Sequence, residues 1–230
     1  MNQRILTDKF YFWIFRTAAI FSVMILSGIF LMLIINGAGT FREVSLGDFL
    51  FGTIWNPAAF GEEKYGILSM VVGTVLVTLM AMLIAFPLGI GTAAFLSDFA
   101  PPRLAAVLKP LIEMLAAVPS VAVGFIGIVF LGPLIAGIFG LNNGLNALNG
   151  AILLAVMALP TVITVAEDAI RAVPQSYKEA SYALGANRWE TLIKVTIPAA
   201  ASGIIAALIL GVGRAVGETM TVLMATGNAA

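Results

Sequence analysis

The sequence predicts an all-α integral membrane domain with five bilayer-crossing helices, and three observations carry that prediction. Of its 230 residues, 60% are hydrophobic and only 10% charged, against about 45–50% and about 25% in an average soluble domain. It contains charge-free runs long enough to cross about 30 Å of hydrocarbon, which takes roughly 20 apolar residues in a helix. The segments between those runs alternate between rich and poor in Lys and Arg, the pattern left by retention of basic residues on the cytoplasmic side.

Residues 1–16 form a basic tail, and the apolar stretch from Thr17 to Ile35 makes the first span, at about 17–35. A cleaved signal peptide would have an apolar core of only about 7–15 residues. Residues 65–97, 114–166 and 195–213 are also free of charge. The long middle run must turn, and Gly132-Pro133 with LNNGLNALNG over residues 141–150 supplies the breakers. The remaining spans are expected at about 65–97, 110–132, 150–170 and 198–225, with a cytoplasmic loop over 171–197, all within one domain over 1–230. Arg4, Lys9, Arg16, Arg103, Lys109, Arg171, Lys178, Arg188 and Lys194 then lie on one side, and only Arg42 and Lys64 on the other. The amino terminus is therefore expected in the cytoplasm.

Several functions are excluded by composition. Twelve basic and twelve acidic residues give no net field to hold nucleic acid. With no cysteine and no histidine, the commonest metal ligands and the usual general base are missing. There is no G-x-x-x-x-G-K phosphate loop. No catalytic set, metal site or cofactor is expected in this chain, and any energy source must sit on a partner.

The loop PQSYKEASYALGANRWETLIKVTIP, residues 174–198, carries its own structural signals. Ser176 and Glu179 have capping-box spacing for a short helix starting at Tyr177, and Gly185 suits the left-handed residue that ends it. Tyr177, Ala180, Ala183 and Leu184 fall on one small apolar face. Asn187 and Glu190 repeat the capping spacing for a second helix. Such a face fits either the bilayer surface or a groove in another protein.

Arg214 and Glu218 lie deep in the predicted fifth span. A charge at mid-span costs roughly 2.5–3.5 kcal/mol, so such residues usually face a bundle interior or a watery path. Their i, i+4 spacing places them on one face with Gly211 and Thr221, and Gly213 with Gly217 would admit a neighbouring helix. Arginine presents a fork of donors suited to an oxyanion. A self-neutralising structural pair is the alternative. Pro119 in the third span either kinks it or frees N–H groups for an anion beside Ser120. Thr74 and Thr78 could line a path or bond their own helix. The aromatics Phe49, Phe51, Trp55 and Phe60 read as an interfacial belt or as a contact for a solute-binding protein.

A resemblance narrows these readings. Glu179-Ala180-Ser181, Gly185 after three residues, and Val195-Thr196-Ile197-Pro198 after nine more closely resemble the E-A-A loop of ABC importer permeases. In that family the loop docks into a cytoplasmic ATPase, which would make Glu179 the contact and Gly185 the turn. GRAVGETMTVLMATGN, from Gly213, is similar to the fifth-span motif of the C-type subunit of phosphate-specific ABC permeases. FPLGIGTAAFLSDFAPP, from Phe86, and LKPLIEMLAAVPSVAVGFIGI, from Leu108, agree with it, so the likeness covers about 49–228.

The resemblance implies the polytopic ABC importer permease fold, with five spans present of an expected six, as in a truncated chain. It implies a bacterial cytoplasmic (inner) membrane protein surrounded by lipid. Its partners would be a second homologous permease subunit, cytoplasmic ATPase subunits and an extracytoplasmic phosphate-binding protein. Arg214, Glu218, Thr221 and Ser120 are the expected substrate-path residues. Tyr177, Glu179, Ala180, Ala183, Leu184 and Gly185 are the expected ATPase-docking residues. The rivals are an importer of another oxyanion (sulfate, molybdate or phosphonate), a proton-coupled carrier using Glu218, and a non-transporting scaffold.

Overall fold

The computed structural model describes residues 2–42, 44–57 and 63–227. The chain divides into two compact units, Met1–Val71 and Val72–Ala230, where the sequence predicts a single domain over 1–230.

In the first unit, α1 (Asn2–Ala38) contains the expected first span. A short helix α2 (Leu46–Phe51) follows, capped by Ser45 Oγ, which accepts from the Asp48 amide at 3.1 Å. Strands β1 (Trp55–Asn56) and β2 (Lys64–Tyr65) pair antiparallel, with Trp55 opposite Tyr65. The two rings meet edge to face at 5.9 Å. Phe49, Phe51 and Trp55 belong to this knob, whereas Phe60 lies outside the described residues.

The next helix, α3 (Leu68–Ala94), begins at the end of this unit, and the rest of it lies in the second; it continues through one π turn to Phe99. Then come α4 (Pro102–Ala116), α5 (Ser120–Ile126), α6 (Gly132–Phe139) and α7 (Ala147–Arg171). A π turn over Gly127–Leu131 makes α5 and α6 one continuous rod. The chain continues in α8 (Gln175–Ala183), α9 (Arg188–Thr191), α10 (Ile197–Ala199), α11 (Ala201–Gly217) and α12 (Met220–Thr226).

Among the described residues, four rods are long and apolar enough to cross a membrane: Asp8–Ala38, Leu68–Phe99, Ser120–Phe139 and Ala147–Arg171. A fifth forms if Arg188–Ala199 and Ala201–Gly217, bent by 72°, count as one.

Two expected spans are displaced. In place of a span over 110–132, the structure has α4 and then Ser120–Phe139. Pro119 is the cause: a proline disfavours helix in the residue before it and is preorganised to start a new one. It therefore precedes the third span and does not kink it. The fifth, expected unbroken over 198–225, stops at Gly217 and restarts at Met220.

The centre of the second unit is α7, which packs against α3, α5, α11 and α12. Its contacts are built from small side chains: Ala81, Ala85, Ala151, Ala155, Ala158 and Ala215 are all almost fully buried. In lipid, helices gain by close packing and not by exclusion of water, so small residues that let backbones approach are favoured. Val162 shows the principle, since a Cβ on either Gly89 of α3 or Gly211 of α11 would fall 2.6 Å from one of its methyls. Thr78 is buried in this packing.

At the far end of α7, Asn146 caps the helix by accepting from the Asn149 amide at 3.1 Å. Asn149 is fully buried, and its Nδ2 donates to the carbonyls of Gly127 at 3.0 Å and Gly144 at 3.2 Å. One amide thus ties the π turn, the α6–α7 connection and α7 together.

Candidate translocation face and docking loop

Local chemistry explains the break between α11 and α12. Glycine and β-branched threonine are poor helix formers, and here Gly217 and Thr219 flank Glu218. Glu218 adopts extended backbone angles, φ −82° and ψ 119°. Its carboxylate then turns to α12, with Oε1 accepting from the Thr221 amide at 3.4 Å and lying 3.2 Å from Thr221 Oγ1. An acceptor at this end of a helix satisfies one of its free N–H groups.

Thr221 is fully buried, and its hydroxyl also reaches the Ser120 carbonyl at 3.0 Å and Met157 Sδ at 3.1 Å. One hydroxyl proton is shared among these acceptors. The structure therefore brings Glu218, Thr221 and Ser120 together where α5 starts, and Ser120 contributes its backbone carbonyl.

Arg214 stands apart from this cluster. It lies in the last turn of α11, exposed, and no ion pair joins it to Glu218. The expected shared face with Gly211 and Thr221 is also corrected, because those two are buried. An i, i+4 face needs a continuous helix, and Glu218 lies outside α11. Among the described residues no helix packs onto Gly213 or Gly217, where an added Cβ would meet nothing within 4 Å. Arg214 thus projects from a smooth, open strip of α11 just before a helix break.

The docking loop has the expected outline of helix, glycine turn and helix. Gly185 has φ +87°, a region where non-glycine residues are strained. The amide of Ala186 donates to the Ser181 carbonyl at 3.2 Å, closing the helix end around that glycine. The Asn187–Glu190 capping box is complete: Glu190 N donates to Asn187 Oδ1 at 2.9 Å and Asn187 N to Glu190 Oε2 at 3.0 Å.

The Ser176–Glu179 box is not formed. Pro174 occupies the cap position, α8 begins at Gln175, and Ser176 is already inside the helix. The proline, with φ −55°, sets the start before Ser176 can.

One side of α8 is anchored and the other is free. Ser181 Oγ and Thr191 Oγ1 are hydrogen-bonded at 2.9 Å, and Lys178 pairs with Asp98 at 2.5 Å. Tyr177, Glu179, Ala180, Ala183 and Leu184 are exposed, Leu184 at 90%. A groove runs past Tyr177, Ala180, Leu184 and Gly185 to Lys194 and Val195.

Sequence reasoning missed a charged cluster on the last turns of α7. Glu167 is 1% exposed and pairs with Arg171 Nη2 at 2.8 Å and Lys109 Nζ at 3.3 Å. Lys109 also lies 3.8 Å from Asp168. The i, i+4 spacing of Glu167 and Arg171 was a readable signal, but Lys109 comes from a distant helix.

Comparison with known proteins agrees with this architecture. Residues 85–230 match the family model described as binding-protein-dependent transport system inner membrane component. The probable ABC transporter permease protein YqgH of Bacillus subtilis is 44% identical over 80% of this chain, which spans 60% of that protein's length. The phosphate transport system permease protein PstC of Mesorhizobium japonicum is 36% identical, covering 97% of this chain and 73% of that protein. PstC 1 of Mycobacterium tuberculosis is 34% identical, over 94% and 73%. Among solved structures, the MetNI methionine ABC transporter in an inward-facing conformation aligns with a TM-score of 0.50 at 22% identity, covering 66% of this chain and 68% of that one. That last likeness bears on the fold alone. The chain is a multi-pass inner-membrane protein with an ABC permease fold, and it belongs to the family of binding-protein-dependent transport system inner membrane components.

Proposed function

We propose that this chain is the C-type permease subunit of an ATP-driven importer and forms half of the path by which inorganic phosphate enters the cytoplasm. The observation that carries the reading is the pairing of two features in one compact unit. An exposed guanidinium projects beside a helix break, and a firmly anchored short helix displays a free face on the docking loop. The PstC relatives supply the substrate class. An arginine with no ion pair among the described residues suits transient contact with an oxyanion, as conduction requires binding that is weak enough to release.

In this reading the chain is not an enzyme and needs no cofactor, and ATP hydrolysis is performed by cytoplasmic ATPase subunits. A second homologous permease packs beside it, and a phosphate-binding protein delivers substrate from outside. The amino terminus and residues 171–197 are cytoplasmic. A reporter active only outside the cytoplasm is expected to be active when fused after Asn146 and silent after Asn187; activity after Asn187 contradicts the orientation.

Gly185→Val tests the docking loop. A left-handed backbone costs a non-glycine residue about 1–2 kcal/mol, more for a β-branched one, and the turn aims α8. Association with the ATPase is expected to weaken about tenfold, the equivalent of about 1.4 kcal/mol. Unchanged co-purification counts against docking through this loop. The overall function is tested by measuring ATP hydrolysis of the assembled transporter with binding protein and each oxyanion in turn. Stimulation by phosphate is expected, and stimulation by sulfate or molybdate alone reassigns the substrate.

A further inference from the structure

The charged cluster at the end of α7 lies between the docking loop and α4, a helix that packs only through half-buried side chains. Helix α4 has no buried residue. Extended prolines bracket it, Pro101 with ψ 144° before it and Pro119 with ψ 132° after it. A helix with so few buried contacts belongs to the low-stability end of a fold.

Helix α4 packs against α7 through half-buried Ala105, Leu108 and Ile112, and charge adds to that packing. Lys109 at its centre reaches Glu167, which Arg171 also holds. Two residues after Arg171 the chain reaches Pro174 and enters α8. From α8, Lys178 returns to Asp98, three residues before Pro101. A third link, the Trp189 ring, lies 6.2 Å from that of Phe99. An open cleft separates α4 from α8, with Ala105, Ala106 and Pro110 on one side and Gln175 on another. Its cations do not make it an anion site, because Lys109, Arg171 and Lys178 each already face a carboxylate.

We propose that the ion pairs Lys109–Glu167 and Asp98–Lys178 couple α8 to α4, so that displacement of the docking loop swings α4 between its two proline hinges. This rests on the docking reading above and adds the moving part. Glu167 is the positioning residue, since its burial leaves it no alternative partners in water, while Asp98–Lys178 pulls on the hinge itself. One pair sits on α4 and the other just before its first hinge, so a shift of α8 reaches α4 both through α7 and through the turn that precedes it.

The test uses the assembled transporter in proteoliposomes with its ATPase and binding protein. Lys109→Met keeps the apolar stem and leaves Glu167 paired with Arg171, and Asp98→Asn keeps the shape. Each variant is expected to keep stimulated ATP hydrolysis while phosphate imported per ATP falls by about fivefold or more, the lower end of ordinary coupling between sites. The charge reversal Asp98→Lys with Lys178→Asp should bring that ratio back to within about twofold of wild type, because the pair is remade.

A merely structural role predicts something else: hydrolysis and uptake fall together with the amount of complex, and their ratio is unchanged. Spin labels on Ala106→Cys and Gln175→Cys, clean probes in a chain without cysteine, give a second measurement. Their separation is expected to change on ATP binding, and to stop changing in the double variant Lys109→Met with Asp98→Asn. An unchanged import ratio in the single variants, or a label separation that ignores ATP in wild type, overturns the proposal. A wild-type chain that binds no ATPase refutes the docking reading and this one with it.

Discussion

Arg214→Gln is expected to abolish phosphate uptake while the transporter stays assembled in the membrane. Arg214 is exposed on α11 and has no ion pair with Glu218, so its loss strands no buried carboxylate. Glu218 keeps its own partner in Thr221. Arg214 lies exposed in the last turn of α11, so its replacement opens no cavity and the amount of complex should hold. Arg214→Lys should restore part of the activity, because an ammonium keeps the charge and loses the planar fork.

The double change Arg214→Gln with Glu218→Gln discriminates further. A glutamine oxygen still accepts from Thr221, so the helix break survives, and uptake should stay absent. Radiolabelled phosphate uptake at matched amounts of complex reads each case. Wild-type uptake in Arg214→Gln removes Arg214 from the path.

The second large effect is on stability. Gly144→Ala places a Cβ 1.8 Å from the Gly132 carbonyl oxygen and 2.5 Å from its carbon. Both sides of this contact are backbone, so no side chain can swing away. Overpacking costs about 1–3 kcal/mol where side chains can adjust, and more where they cannot. The shift also pulls the Gly144 carbonyl from Asn149, which keeps Gly127 and loses one of its two buried hydrogen bonds, a further cost of about 1 kcal/mol. Little monodisperse protein is expected after mild heating in detergent. Gly137→Ala is the control, because its Cβ would meet nothing within 4 Å and a helical alanine gains roughly 0.5–1 kcal/mol over glycine. Equal recovery of the two variants contradicts the packing described at Gly144.

What could be read from residues in advance follows the range of the interactions. Gly185 and the Asn187–Glu190 box were legible because turn and cap chemistry is settled within four residues. Ser176 misled because Pro174, two positions earlier, has the stronger hold on where a helix starts. The third span was placed too early because a charge-free run marks apolarity and not helix ends, and Pro119 resets the helix within such a run. At Glu218, the flanking Gly217 and Thr219 were the available warning that i, i+4 geometry would fail.

Long-range partners were not legible. Asn149 read as part of a turn-forming stretch, yet it is buried and holds Gly127, 22 residues away. Lys109 meets Glu167 across 58 positions of sequence, and no local pattern encodes that distance. Ser120 is an expected substrate-path residue, and it is its backbone carbonyl that meets Thr221.

The central claim is that this chain carries phosphate inward as part of an ATP-driven assembly. Its most direct test is import into proteoliposomes holding this permease, its paired permease and the ATPase, with phosphate-binding protein outside and ATP enclosed. The account predicts phosphate accumulation that requires both the binding protein and hydrolysable ATP, and that an imposed proton gradient cannot replace. Accumulation driven by the proton gradient alone, without ATP, would contradict it.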